Sequence, residues 1–128
     1  MMMKKLILLL ITISFSILNV NAQEQSGAKK ISPRKLERKL KKDIQLVDVR
    51  TLKEFNEQHI ETAVNLNVDD ADFVQKIQSL DKSKPVYLYC RSGKRSSKAS
   101  KKLDSLGFQK VYDLEGGMNS WNKKKSKN

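Results

Sequence analysis

The sequence predicts an α/β domain, a parallel sheet with helices on both of its faces. Three observations carry that expectation. Four short apolar runs lack a helical period: Gln45-Leu46-Val47-Asp48-Val49, Ala63-Val64-Asn65-Leu66, Val86-Tyr87-Leu88-Tyr89 and Val111-Tyr112-Asp113-Leu114. Their length and continuity are those of interior strands. The segments between them carry helix punctuation, so strand and helix alternate, as they do when parallel strands are joined by crossover helices. In such sheets ligands bind beyond the carboxyl ends of the strands. The single cysteine of the chain, Cys90, follows one strand directly.

The beginning of the chain stands apart from this pattern. Met1 to Lys5 form a basic start, thirteen mostly apolar residues run from Leu6 to Leu18, and Val20-Asn21-Ala22 ends in the small-x-small manner of a signal-peptidase site. Residues 1–22 therefore read as a secretory signal peptide. An uncleaved anchor is the alternative, but the apolar run contains Thr12, Ser14 and Ser16 and falls short of the roughly 20 residues that span a bilayer. The protein is thus expected to be exported, into a bacterial periplasm, with membrane contact confined to the signal peptide. No cysteine follows the apolar run, which excludes lipid attachment of the lipoprotein kind. Residues 23–30 read as a flexible lead-in, 31–122 as one domain and 123–128 as a basic, disordered tail.

Within the domain each element has its own signal. Ser32-Pro33 supplies an N-cap and a proline at the first helical position, and Leu36 and Leu40 form that helix's buried stripe. Thr51-Leu52-Lys53-Glu54 is a capping box, with Phe55 on the inward face. Asp69 or Asp70 is expected to cap a helix whose apolar positions are Phe73, Ile77 and Leu80, and Asp81 to Pro85 form a turn. A helix from about Ser96 to Leu106 should be closed by Gly107 in the left-handed conformation. Gly116-Gly117 reads as a tight turn, and Met118 to Trp121 as a short closing helix anchored in the core by Trp121.

The formal charge is +12, carried by 21 lysines and only 5 arginines against 14 acidic residues. Such a balance invites a nucleic-acid reading. Export, the excess of lysine over arginine and the scarcity of aromatic side chains argue against it. Lysines spread over helix faces are a solvated surface. Their field would still concentrate small anions.

A lone cysteine can be no more than a small core hydrophobe. Here the segment Cys90-Arg91-Ser92-Gly93-Lys94-Arg95-Ser96 places three cations within five residues of the sulfur. A strand that ends in cysteine, followed by a Gly/Ser/Arg loop and a helix N-terminus, surrounds the sulfur with N–H groups and favours thiolate over thiol. An odd cysteine in an exported chain also points to a reactive thiol. Cys90 is therefore read as a nucleophile.

Three blocks of the sequence resemble the rhodanese-like sulfurtransferases. Asp48-Val49-Arg50, Glu54-Phe55 and His59-Ile60 are similar to that family's first block, which continues through Ala63-Val64-Asn65-Leu66 with Thr62 in place of a glycine. The Cys90 loop is the second block, and Leu114-Glu115-Gly116-Gly117-Met118-Asn119-Ser120-Trp121 the third. The resemblance implies a three-layer domain with a central, mostly parallel five-stranded sheet. It also implies a double displacement in which Cys90 takes the sulfane sulfur of a small anionic donor such as thiosulfate, becomes a persulfide, and yields the sulfur to cyanide, a thiol or a protein. Neither a metal nor an organic cofactor is implied. A sulfur-carrier module that does not turn over is the alternative.

Thiolate formation is the chemical requirement. A free cysteine of pKa about 8.5 is only about 3% ionised at neutral pH, and bringing that value to about 6.5 corresponds to roughly 2.7 kcal/mol of differential stabilisation. The loop N–H groups, the helix N-terminus and the charges of Arg91, Lys94 and Arg95 are expected to supply it together. Gly93 is expected to let the backbone approach the anion, and Ser92 and Ser96 to offer hydroxyls. Arg95, with Arg91 second, is expected to clamp an oxyanion. Asp48 and Arg50 are expected to be an ion-paired support, joined by Glu54. His59 is assigned to packing or hydrogen bonding, because sulfur transfer to a thiolate needs no proton abstraction. A phosphatase or arsenate reductase of the same fold needs one more residue between cysteine and arginine than the four that separate Cys90 from Arg95. Nothing in the sequence sets an oligomeric state.

Overall fold

The computed structural model describes residues 27–128; the expected signal peptide and the first half of the lead-in lie outside the described residues. The elements in chain order are β1 (Lys29–Ile31), α1 (Pro33–Lys39), β2 (Gln45–Asp48), α2 (Leu52–Glu57), β3 (Val64–Asn65), α3 (Phe73–Ile77), β4 (Val86–Tyr89), α4 (Lys94–Ser105), β5 (Val111–Leu114) and α5 (Gly117–Ser126). The strands form one five-stranded sheet in the order β1-β5-β4-β2-β3, and every pairing is parallel. All carboxyl ends therefore lie on one edge of the sheet. The central strand, β4, delivers Cys90 to that edge.

The alternation of side chains along each strand divides the core in two. Val47, Val86, Leu88 and Val111 point to one face, where Phe73 and Ile77 of α3 and Ala99 and Leu103 of α4 cover them. Leu46, Tyr87, Tyr89 and Leu114 point to the other, against Leu36 of α1 and Met118 and Trp121 of α5. Every residue of β4 is buried, as a strand covered on both faces requires. Cys90 continues the period and lies on the Val86–Leu88 face.

Local signals act where the sequence placed them. Ser32 Oγ accepts from Lys35 N, with Pro33 at the first helical position. Thr51 and Glu54 form the reciprocal capping box of α2. Gly107, at φ +88°, closes α4 in a Schellman motif: Phe108 N–H donates to Leu103 O at 3.2 Å and Gly107 N–H to Asp104 O at 3.1 Å.

Four expectations are corrected. The lead-in is not flexible to residue 30, because Lys29 and Lys30 belong to β1, which pairs with β5. Lys30 Nζ there meets the buried Asp113 carboxylate at 2.8 Å. The closing helix does not stop at Trp121, nor are residues 123–128 a disordered tail: α5 runs to Ser126, and Lys124 meets Glu37 of α1 at 2.6 Å. Neither Asp69 nor Asp70 caps α3. Asp72 stands at its N-cap without a side-chain bond, while Asn67 Oδ1 accepts from Asp69 N and ties the preceding turn. Finally, α4 begins at Lys94, two residues before Ser96, because Gly93 turns the chain sharply at φ +118°.

Candidate active site

The loop after β4 folds back over its own sulfur. Gly93 adopts a backbone conformation that residues with a Cβ rarely take, although a Cβ there would meet nothing within 4 Å. The glycine is thus required for its φ angle, and through that turn the backbone comes close to the sulfur as expected. The turn directs Gly93 N–H onto Cys90 Sγ at 3.0 Å. Ser96, fully buried in the first turn of α4, places Oγ 3.4 Å from the sulfur. As a thiol, Sγ donates to that oxygen, and the hydroxyl donates to Gly93 O at 3.2 Å. On ionisation the same hydroxyl can rotate and donate to the thiolate.

These contacts set the acidity of Cys90. Burial pushes the thiol up, since only 1% of the residue is exposed. The Ser96 hydroxyl and the N–H groups of Ser96, Gly93 and Ser92 outweigh burial and hold the thiol below its ordinary range. No cation ranks with these hydrogen bonds, although the Arg95 charge also acts on Cys90.

Arg95 makes a bidentate pair with Glu54, Nη1 to Oε1 at 2.6 Å and Nη2 to Oε2 at 2.9 Å. That bond, against the opposing effect of burial and with help from Thr51, brings the Glu54 carboxyl down to about 2. The two residues tie the start of α4 to the start of α2. Both terminal nitrogens of the expected oxyanion clamp therefore face a carboxylate, while Arg91, Ser92 and Lys94 stand exposed at the loop tip. Glu54 is accordingly not part of the Asp48–Arg50 pair. That pair is buried by itself, with Arg50 Nη2 2.7 Å from Asp48 Oδ2 and donating also to Gln58 O at 2.6 Å.

Residues 32–124 match the family model described as Rhodanese-like domain. The chain belongs to the rhodanese-like family. Its relatives include the thiosulfate sulfurtransferase GlpE of Coxiella burnetii, 37% identical over 81 residues that cover 63% of this chain and 74% of that protein. The putative sulfurtransferase YtwF of Bacillus subtilis is 40% identical over 95 residues, 73% of this chain and 89% of that one. Among solved structures, a rhodanese-like domain protein from Staphylococcus aureus superposes with a TM-score of 0.66 at 34% identity, covering 73% of this chain and 90% of that chain.

Two features of this rhodanese-like domain escaped the sequence reading. Asn65, inside the first motif block, donates from Nδ2 to Asp48 O at 3.0 Å and to Arg50 O at 2.9 Å, fixing the chain where it leaves β2. Its motif position was the available signal. The second is at α5, where Met118 N–H donates to Cys90 O at 2.8 Å and Asn119 N–H to Arg91 O at 3.0 Å. No sequence period links residues so far apart. His59 donates from Nδ1 to Phe55 O at 2.8 Å and stacks on the Phe55 ring at 3.8 Å, an exposed position tied to the preceding helix α2. Beside the loop a polar cleft of about 430 Å³ opens between α2 and α5, with Glu57, Arg91 and Asn119 on its walls.

Proposed function

We propose that this rhodanese-like domain is a sulfurtransferase that moves a sulfane sulfur from thiosulfate, or a similarly small anionic donor, to a thiophilic acceptor through a persulfide on Cys90. The supporting observation is the sulfur itself: a buried thiol held by hydroxyl and N–H donors that lower its pKa. In the first step the thiolate attacks the outer sulfur of thiosulfate, a Cys90 Sγ–S bond forms, the donor's S–S bond breaks, and sulfite leaves with the electron pair. In the second, cyanide or a thiolate attacks the terminal sulfur, carries it away as thiocyanate or a new persulfide, and returns the Cys90 thiolate. Neither step needs a general base, a metal or an external oxidant.

The same donors that stabilise the thiolate would stabilise a persulfide anion, and the exposed Arg91 and Lys94 would draw the donor to the loop mouth. A phosphatase reading is disfavoured by Arg95, whose terminal nitrogens are bound to Glu54 where that chemistry needs a guanidinium for the phosphoryl oxygens. The test is initial-rate kinetics with thiosulfate and cyanide, read as thiocyanate, beside hydrolysis of an aryl phosphate. The reading expects ping-pong kinetics, no phosphate release and no activity in Cys90→Ser. Phosphate release without thiocyanate would overturn it. Export is part of the proposal, with cleavage after Ala22; N-terminal sequencing of the protein recovered from its native cell would check the site.

A further inference from the structure

We propose that Gly117 is a positioning residue for Cys90: by letting α5 pack directly against the nucleophile loop, it fixes the orientation of the two peptide groups that follow the sulfur. The inference concerns the nucleophile of the proposed reaction, but rests on backbone geometry that holds whichever sulfur donor is used.

The argument begins with trans peptide geometry. In a planar trans peptide the carbonyl and the next residue's N–H point in opposite directions. Met118 N–H holds the Cys90 carbonyl at 2.8 Å and Asn119 N–H holds the Arg91 carbonyl at 3.0 Å. Both carbonyls are thereby drawn toward α5. The N–H groups of Arg91 and Ser92, on the opposite ends of those peptides, must face away from it. The next peptide group along the loop carries Gly93 N–H, which donates to Cys90 Sγ at 3.0 Å. The two helix N–H groups are also first-turn donors that have no partner within their own helix, so a single contact satisfies α5 and orients the loop.

Only glycine permits the approach. A Cβ at position 117 would stand 2.5 Å from Cys90 O and 2.7 Å from both C and O of Arg91, all backbone atoms that cannot swing aside. The sequence suggests only turn geometry for Gly116-Gly117; a Cβ at Gly116 would also be crowded, but by Ser120 of α5, whose Cβ would lie 2.8 Å away, and not by the nucleophile loop. Gly107 separates the two demands further. It too has a positive φ, +88° against +57° at Gly117, but a Cβ there would enter open space.

The experiment titrates the Cys90 thiolate by its ultraviolet absorbance in the full chain, with Cys90→Ser as the blank, in wild type, Gly117→Ala and Gly107→Ala. Displacing the loop should raise the midpoint of Gly117→Ala by about one pH unit or more, a tenfold or greater loss of thiolate below the midpoint. Gly107→Ala should leave the midpoint where it was, whatever it does to thermal stability. A folded Gly117→Ala with an unchanged midpoint, or an equal rise in both variants, overturns the proposal. Should Gly117→Ala fail to fold by circular dichroism, Asn119→Pro decides. It removes one donor to the loop at a first-turn position where proline breaks no intrahelical bond; a raised midpoint supports the role and an unchanged one refutes it.

Discussion

Replacing Ser96 by alanine tests where the acidity of Cys90 comes from. The Ser96 side chain is fully buried and its Oγ lies 3.4 Å from Sγ, so the change deletes one donor to the thiolate and leaves the backbone donors in place. A hydrogen bond to a charged group contributes about 1.5–3 kcal/mol, and about 1.4 kcal/mol corresponds to one pH unit in a pKa. The Cys90 pKa should therefore rise by about 1 to 2. Alkylation by iodoacetamide, followed as rate against pH, should slow roughly ten- to hundredfold at neutral pH. The high-pH plateau, where every thiol is ionised, should stay within about twofold. Because the hydroxyl also serves Gly93 O, stability should fall by about 1 kcal/mol. Lys94→Ala is the contrast: its exposed charge is screened by solvent and should move the midpoint less. An unchanged midpoint in Ser96→Ala, or a larger change in Lys94→Ala, would refute hydrogen bonding as the origin of the acidity.

Two further predictions concern the supports of the loop. Arg50→Ala leaves the fully buried Asp48 carboxylate without its cation, and urea unfolding should show a loss of about 3–5 kcal/mol; a loss under about 1 kcal/mol would mean that the pair contributes little. The Glu54–Arg95 pair makes stability depend on pH in acid. Arg95 holds the Glu54 carboxyl at about 2 in the fold, below an unfolded value of about 4.3. The contribution is thus complete above about pH 5 and lost as pH falls toward about 2. With about a quarter of each side chain exposed, solvent screening leaves roughly 1–2 kcal/mol. Urea melts across that window should slope less for Glu54→Gln than for wild type, and parallel slopes would contradict the assignment.

What was legible in the sequence was what short-range chemistry decides. The capping box at Thr51, the proline after Ser32 and the glycine that closes α4 each act within a few residues, and the buried strand before Cys90 announces itself by composition. The misses share a different cause. β1 offers one apolar residue, Ile31, after two lysines, and becomes a strand through pairing with β5 and the Lys30–Asp113 contact. The lysines at the end of α5 look like a solvated tail, yet Trp121 buries that helix and Lys124 reaches Glu37. Arg95 and Glu54 are 41 residues apart, so the partner of the arginine belonged to the fold. The approach of α5 to the loop is likewise tertiary. The motif showed which residues recur together but not that Gly117 touches Cys90.

Intact-protein mass spectrometry tests the central claim most directly. The protein, reduced and then incubated with thiosulfate, should gain the mass of one sulfur atom and lose it on addition of cyanide or dithiothreitol, and Cys90→Ser should show neither change. A wild-type protein that remains unmodified across a range of thiosulfate concentrations, or one that acquires the same adduct without Cys90, would contradict the persulfide mechanism.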